Sequence, residues 1–178
     1  ATVGKLLDLG RAVKGGVGTA SLDLGDGIVV GALVVTNPVG GVYDPESGRV
    51  VAGPLADDGV SMHDSMKLIM SPEYVPPKWM PRSNTTIGVV ATNARLSKEE
   101  VNRLAAVSHD GLALAVRPVH TMYDGDTMFA LATGQSDQHV DSTRLGAAVV
   151  FCTARAIVRS VLQAKGLGGI PAVSELGR

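Results

Sequence analysis

The sequence predicts an α/β fold, and three observations carry that prediction. Residues 28–35 form a continuous β-branched and apolar run, ended by Asn37-Pro38, with the length and composition of an inner strand buried on both faces. Residues 87–91 repeat the strand pattern and are soon followed by Ser97-Lys98-Glu99-Glu100, the S-x-x-E spacing in which Ser97 and Glu100 satisfy each other's orphan amides at a helix start. Residues 143–165 are rich in Ala, Val and Ile, punctuated by Arg144, Arg155 and Arg159, and stop at Gly166 and Gly168-Gly169, as a long, well-buried helix would.

The remaining elements are fitted around these three. Ahead of residue 28 lies a short opening element with Gly15-Gly16-Val17-Gly18-Thr19. Those glycines could cradle an anion through backbone amides, but they lack the Gly-Lys-Ser/Thr ending of a phosphate loop, so close backbone packing is the better account. Gly40-Gly41 and Asp44-Pro45-Glu46-Ser47-Gly48 mark turns, and Val42-Tyr43 faces Arg49-Val50-Val51 in a small hairpin. Over about 55–84 the pattern degrades: Asp57, Asp58, Gly59, Met62, Met66 and Met70 precede Pro72, Pro76, Pro77 and Pro81 with no sustained period. This predicts a long, exposed and mobile connection. The helix opened by Ser97 has a small apolar face of Val101, Leu104, Ala105 and Ser108, with Gly111 near its later turns. Val116-Arg117-Pro118-Val119 is extended, Tyr123-Asp124-Gly125-Asp126 is a turn, and residues 127–133 are a strand.

At 178 residues and 45% apolar content the chain is long enough for one sizeable core, so it is one domain, 1–178, or the C-terminal half of a larger one. Aromatics make up 3% of it and there are 22 glycines, so that core is built from Val, Ala, Leu and Ile around closely approaching backbone. A net charge of -1 and the lack of a basic run interleaved with aromatics argue against a nucleic-acid partner. The single cysteine, Cys152, lies in an apolar segment and reads as an inert buried thiol. His63, His109, His120 and His139 have no metal-ligand spacing and read as surface or packing residues, so neither a metal nor a cofactor is expected. Residues 1–7 lack a charged region followed by a long apolar run, and no apolar stretch is expected to reach membrane-spanning length; a cytoplasmic protein without a membrane partner is the expectation. Ala1 is not an initiator Met, and the chain reads as a fragment.

The chemistry points to Ser83-Asn84-Thr85-Thr86-Ile87, where small polar residues run into an apolar strand. If the Asn84-Thr85 bond breaks, Thr85 gains a free α-amine beside its own hydroxyl, so one residue holds both nucleophile and base. The amine, with a reference pKa of about 7.7–8.0, is partly neutral near pH 7 and can take the hydroxyl proton. Two other readings of the same residues are an ordinary start of a strand and an Asn-x-Thr glycosylation sequon.

Asn84-Thr85-Thr86-Ile87, Thr92-Asn93-Ala94-Arg95-Leu96, Val119-His120-Thr121, Asp124-Gly125-Asp126-Thr127 and Phe129-Ala130-Leu131-Ala132-Thr133 closely resemble the DmpA-type aminopeptidase and nylon-oligomer hydrolase family. The likeness extends back through Lys14-Gly15-Gly16-Val17-Gly18-Thr19-Ala20-Ser21 and Thr36-Asn37-Pro38-Val39-Gly40, almost the whole chain. These are self-cleaving N-terminal-nucleophile hydrolases, and the resemblance implies an αββα layered sandwich. It implies cleavage after Asn84, an α-fragment ending at residue 84, a β-fragment of residues 85–178, and Thr85 as nucleophile. Lys5 is similar to the family lysine, where its charge would favour a neutral amine or steady a developing negative charge; a solvated lysine is the other reading. Asn37 is similar to the asparagine whose side-chain amide donates to the oxyanion, or is an Asn-Pro turn. Asp124 and Asp126 match the acidic pair, placed to orient the Thr85 ammonium; an Asp-Gly turn or part of a cation site are the alternatives.

The function implied is hydrolysis of amide bonds in small peptides or oligoamides through an acyl-enzyme on Thr85. The family carries a comparable stretch of chain upstream, so part of its fold is expected to be missing here and to pair with this chain as a partner segment. A homo-oligomer is also implied. Alternatives are an acyltransferase of the ornithine acetyltransferase type and an uncleaved structural or ligand-binding homologue.

Overall fold

A computed structural model describes residues 1–77 and 84–177. Its elements in chain order are β1 (Thr2–Val3), β2 (Val13–Lys14), β3 (Val17–Asp23), β4 (Val29–Val35), β5 (Gly41–Tyr43), β6 (Val50–Ala52) and α1 (Ser65–Met70). There follow β7 (Ile87–Ala94), α2 (Lys98–Ala115), β8 (Val116–Arg117), β9 (Thr127–Ser136) and α3 (Ser142–Leu162). The main sheet has the order β3-β4-β7-β9, and β5 sits between β6 and β8 in a smaller sheet. Within the main sheet β3, β4 and β7 run antiparallel, whereas β7 and β9 are parallel, because α2 carries the chain back across the sheet between them.

Strand alternation sorts each strand into two faces. Ala20, Val30, Ala32, Val34, Val90 and Met128 are buried beneath α2 and α3, which contribute Leu104, Leu112, Leu145, Val149, Ile157 and Val161. The helices lie close because the sheet is stripped of side chains where they cross: a Cβ on Gly18 would stand 2.0 Å from the Ala156 carbonyl oxygen. Gly111 plays the same part between the helices, where a Cβ would be 2.5 Å from the Val150 carbonyl oxygen. The opposite face of the sheet carries Val17, Leu33, Ile87, Phe129 and Leu131, all between 42% and 58% exposed. β4 is therefore an inner strand, as expected, but only every second residue of it is buried among the described residues.

The capping box at Ser97 is formed in both directions, with Ser97 Oγ accepting from Glu100 N–H and Glu100 from Ser97 N–H. The expected hairpin is β5 paired with β6. Two readings need correction. The connection at 55–84 holds a helix, α1, whose start is capped by the Asp64 carboxylate and whose flank is tied down by Tyr74 Oη donating to the Leu6 carbonyl; its Pro81 and Ser83 lie outside the described residues. And an apolar stretch does reach membrane-spanning length: α3 has 21 residues, and an 18-residue stretch of it has a mean hydropathy of 1.7, but 61% of that stretch is buried inside the fold, where α3 is the central core helix. Cys152 on α3 is buried, and burial pushes its thiol pKa up, as an inert core thiol requires.

Candidate active site

The parallel pairing of β7 with β9 positions the site. Its register, Ile87 opposite Thr127, continues backwards to a bridge between Asn84 and Asp124, which sets Thr85 beside Gly125 and Thr86 beside Asp126. Gly125 N–H donates to the Asn84 carbonyl at 2.8 Å and Thr127 N–H to the Thr86 carbonyl at 2.9 Å. On the other side, the end of β4 accepts the same segment: Thr85 N–H donates to the Asn37 carbonyl at 3.2 Å. Asn84 and Thr86 are buried, while Thr85 between them is half-buried, on the side of the sheet that no helix covers.

The carbonyl oxygen of the Asn84-Thr85 peptide is gripped twice. It accepts from Gly125 N–H and, at 2.7 Å, from Thr85 Oγ1. Gly125 also clears space for the hydroxyl, since a Cβ there would sit 2.9 Å from Thr85 Oγ1.

Lys5 is buried, at 3% exposure, and its Nζ donates to the Thr2 carbonyl at 3.0 Å, the Asn37 carbonyl at 3.1 Å and Asn37 Oδ1 at 3.2 Å. Three acceptors match the three donors of an ammonium. Burial lowers its pKa to about 8, with the Asp124 charge opposing that shift. Asn37 Oδ1 also accepts from Thr2 N–H at 2.9 Å, so the carboxamide oxygen is the end turned to Lys5 and the NH₂ end is turned away from it.

The two acids are built differently. Asp124 Oδ1 accepts from Val39 N–H at 2.9 Å and its Oδ2 from Thr121 Oγ1 at 2.5 Å; burial raises its pKa, against the pull of the Thr121 hydroxyl. Asp126 Oδ1 accepts from Thr86 N–H at 2.9 Å, and its buried Oδ2 faces His120 Nδ1 at 3.0 Å. Thus Lys5, Asn37, Asn84, Thr85, Asp124 and Asp126 are all brought to one end of the main sheet. Two contributors carry no such signal in the sequence. Gly125 is hidden between the acids, and His120, in the Val119-His120-Thr121 motif, reads there as a surface residue.

A threonine at the mouth of an inner strand, with paired acids on the loop before the neighbouring strand of a layered α/β fold, is what the N-terminal-nucleophile hydrolase fold would require. The chain belongs to Peptidase family S58, whose pattern matches residues 10–173. The chain is 38% identical over 181 residues to an uncharacterized aminopeptidase of Mycobacterium tuberculosis, covering 93% of this chain and 53% of that protein. It is 39% identical over 139 residues to the 6-aminohexanoate-oligomer endohydrolase of Paenarthrobacter ureafaciens, covering 77% of this chain and 38% of that protein. The chain therefore spans about half the length of the first of these relatives and less of the second. The L-aminopeptidase D-Ala-esterase/amidase from Ochrobactrum anthropi, described as a new variant of the Ntn hydrolase fold, superposes with a TM-score of 0.56 at 22% identity, over 89% of this chain and 43% of that one. The resemblance drawn from short motifs is thus correct for both family and fold.

Proposed function

We propose that the protein to which this chain belongs is a self-processing amide hydrolase that acts through Thr85. The observation carrying this reading is the doubly held Asn84 carbonyl, 2.8 Å from Gly125 N–H and 2.7 Å from Thr85 Oγ1. Attack of Oγ1 on the Asn84 carbonyl carbon places negative charge on an oxygen that already has a backbone donor. Collapse breaks the C–N bond, the hydroxyl proton passes to the Thr85 nitrogen, and Asn84 is left as an ester on Oγ1. Water then releases the Asn84 carboxylate and frees the Thr85 amine and hydroxyl. The same hydroxyl next attacks a substrate amide, the amine of the substrate leaves, and a second water hydrolyses the acyl-enzyme. Lys5 holds the Asn37 loop and supplies a positive charge; Asp124 and Asp126 hold the Val39 and Thr86 amides and face the new ammonium.

Small peptides or oligoamides are the proposed substrates, supported by the names borne by the relatives. We further assign the exposed apolar face of Val17, Leu33, Ile87, Phe129 and Leu131 as the seat of an upstream segment of the same protein. Supporting this, such contiguous apolar area is rarely left to water, and the relatives have about as much chain again beyond the matched part. A homo-oligomer and a cytoplasmic location complete the proposal.

The test is a full-length preparation offered a short oligoamide with hydroxylamine present. Wild type should release amine and acyl hydroxamate while Thr85→Ala does neither. Equal turnover by both proteins would reject Thr85 as the nucleophile.

A further inference from the structure

Asp126 carries an oxygen that the proposed chemistry leaves unused. Its side chain is 1% exposed, and among the described residues its Oδ2 has no aligned hydrogen-bond donor. What it has is an imidazole: His120 Nδ1 stands 3.0 Å away, a contact that becomes an ion pair only when His120 is protonated. His120 is held there by its backbone, at φ 53, and by a second ring. His109 of α2 lies with Nδ1 3.2 Å from His120 Nε2, the ring centroids 4.9 Å apart. A file of groups thus runs from the 43% exposed His120 side chain to the amide of Thr86, next to the nucleophile.

We propose that His120, backed by His109, is a positioning residue that sets the acid limit of the chemistry at Thr85 by controlling the charge facing Asp126. This rests on the reading of Thr85 as nucleophile and deepens it. With His120 neutral, Asp126 keeps its full negative charge for the proton leaving Thr85 and for the ammonium that results. With a proton on each ring nitrogen, His120 becomes a cation whose Nε2–H is accepted by His109 Nδ1. Asp126 is then paired outward, and its hold on the Thr85 side is weakened.

Among the described residues, the charged and titratable groups around this pair lie on three elements. Asp126 and Asp124 lie on the loop before β9, with Lys5 beyond Asp124, and His109 and Asp110 lie on α2. Arg117 on β8 is turned onto the Tyr43 ring. Burial and the neighbouring imidazole hold the His109 pKa below its ordinary value.

The experiment tracks the rate of chain cleavage in newly made full-length protein from pH 5 to pH 8, by intact mass, for wild type, His120→Asn, His109→Leu and Thr85→Ala. Asn tolerates the left-handed backbone that His120 adopts, and His109→Leu leaves residue 120 untouched, so two independent variants report. Wild type should slow by about tenfold per pH unit below an acid-side midpoint. In His120→Asn that acid-side fall should vanish. In His109→Leu the midpoint should move to lower pH, because the imidazolium loses its acceptor. A purely structural role would lower the rate and leave the midpoint where it is. The proposal is overturned if both variants keep the wild-type midpoint while Thr85→Ala stays whole. Cleavage of Thr85→Ala, by contrast, would remove the underlying assignment of the nucleophile, and this proposal with it.

Discussion

The two faces of the main sheet are made of the same kinds of residue and serve opposite ends. Val30, Val34 and Val90 on one face are at most 1% exposed beneath α2 and α3, whereas Leu33 and Ile87, their neighbours along the same strands, are 42% and 49% exposed. The helix-covered face is where this stretch of chain is held together. The open face carries Thr85 at its end, and in our proposal it is where the rest of the protein docks. Apolar content alone does not distinguish the faces. What distinguishes them is glycine at Gly16 and Gly18, which lets a helix reach backbone distance on one side only.

The harshest way to break this contrast is to add volume on the closed face. Gly18→Val should cost more than about 3 kcal/mol, because its Cβ would meet the Ala156 carbonyl at 2.0 Å; the loss would be read by urea unfolding of the full-length protein. Next is pH. Lys5 has a pKa near 8 in the fold and its ordinary value of 10.5 when unfolded, so between those pH values the unfolded chain binds more protons and stability rises with pH. In a Thr85→Ala background, to keep the chain whole, Lys5→Met should erase that rise. The rise amounts to at most about 3 kcal/mol, seen in unfolding free energy measured at pH 7.5 and pH 10.

The contrast is sharpened by a matched pair. Val34→Ala on the closed face should cost roughly 2 kcal/mol in the full-length protein. If the open face is covered there, Leu33→Ala should cost as much or more; if it is bathed in water, well under about 1 kcal/mol. Equal and small losses for both would contradict the burial described for Val34. The smallest effect is expected at the edge of the closed layer. Ser97→Ala removes one capping bond from α2 and should cost about 1 kcal/mol, visible as a modest drop in Tm.

How legible the molecule is in its sequence depends on whether the signal is local. The Ser97 capping box, the β-branched run of β4 and the apolar length of α3 are written in consecutive residues, and each appears in the fold. β3 is hidden because Gly16 and Gly18 erase the strand pattern for the sake of a helix far along the chain. α1 is hidden among prolines and methionines, although Asp64 ahead of Ser65 is a helix-start signal in plain view. At the site, the residues with resemblance behind them converge on one place. The partners of those residues do not show, because Gly125 matters through its amide and its missing Cβ, and His120 through a ring brought up by α2. Neither property has a periodicity.

The central claim is that Thr85 becomes a chain terminus by cutting the bond before it. Intact-mass spectrometry of freshly purified full-length protein tests this directly. Our account expects two species, one ending at Asn84 and one beginning at Thr85, replaced by a single uncut chain in Thr85→Ala. A single uncut chain in catalytically active wild type would contradict it.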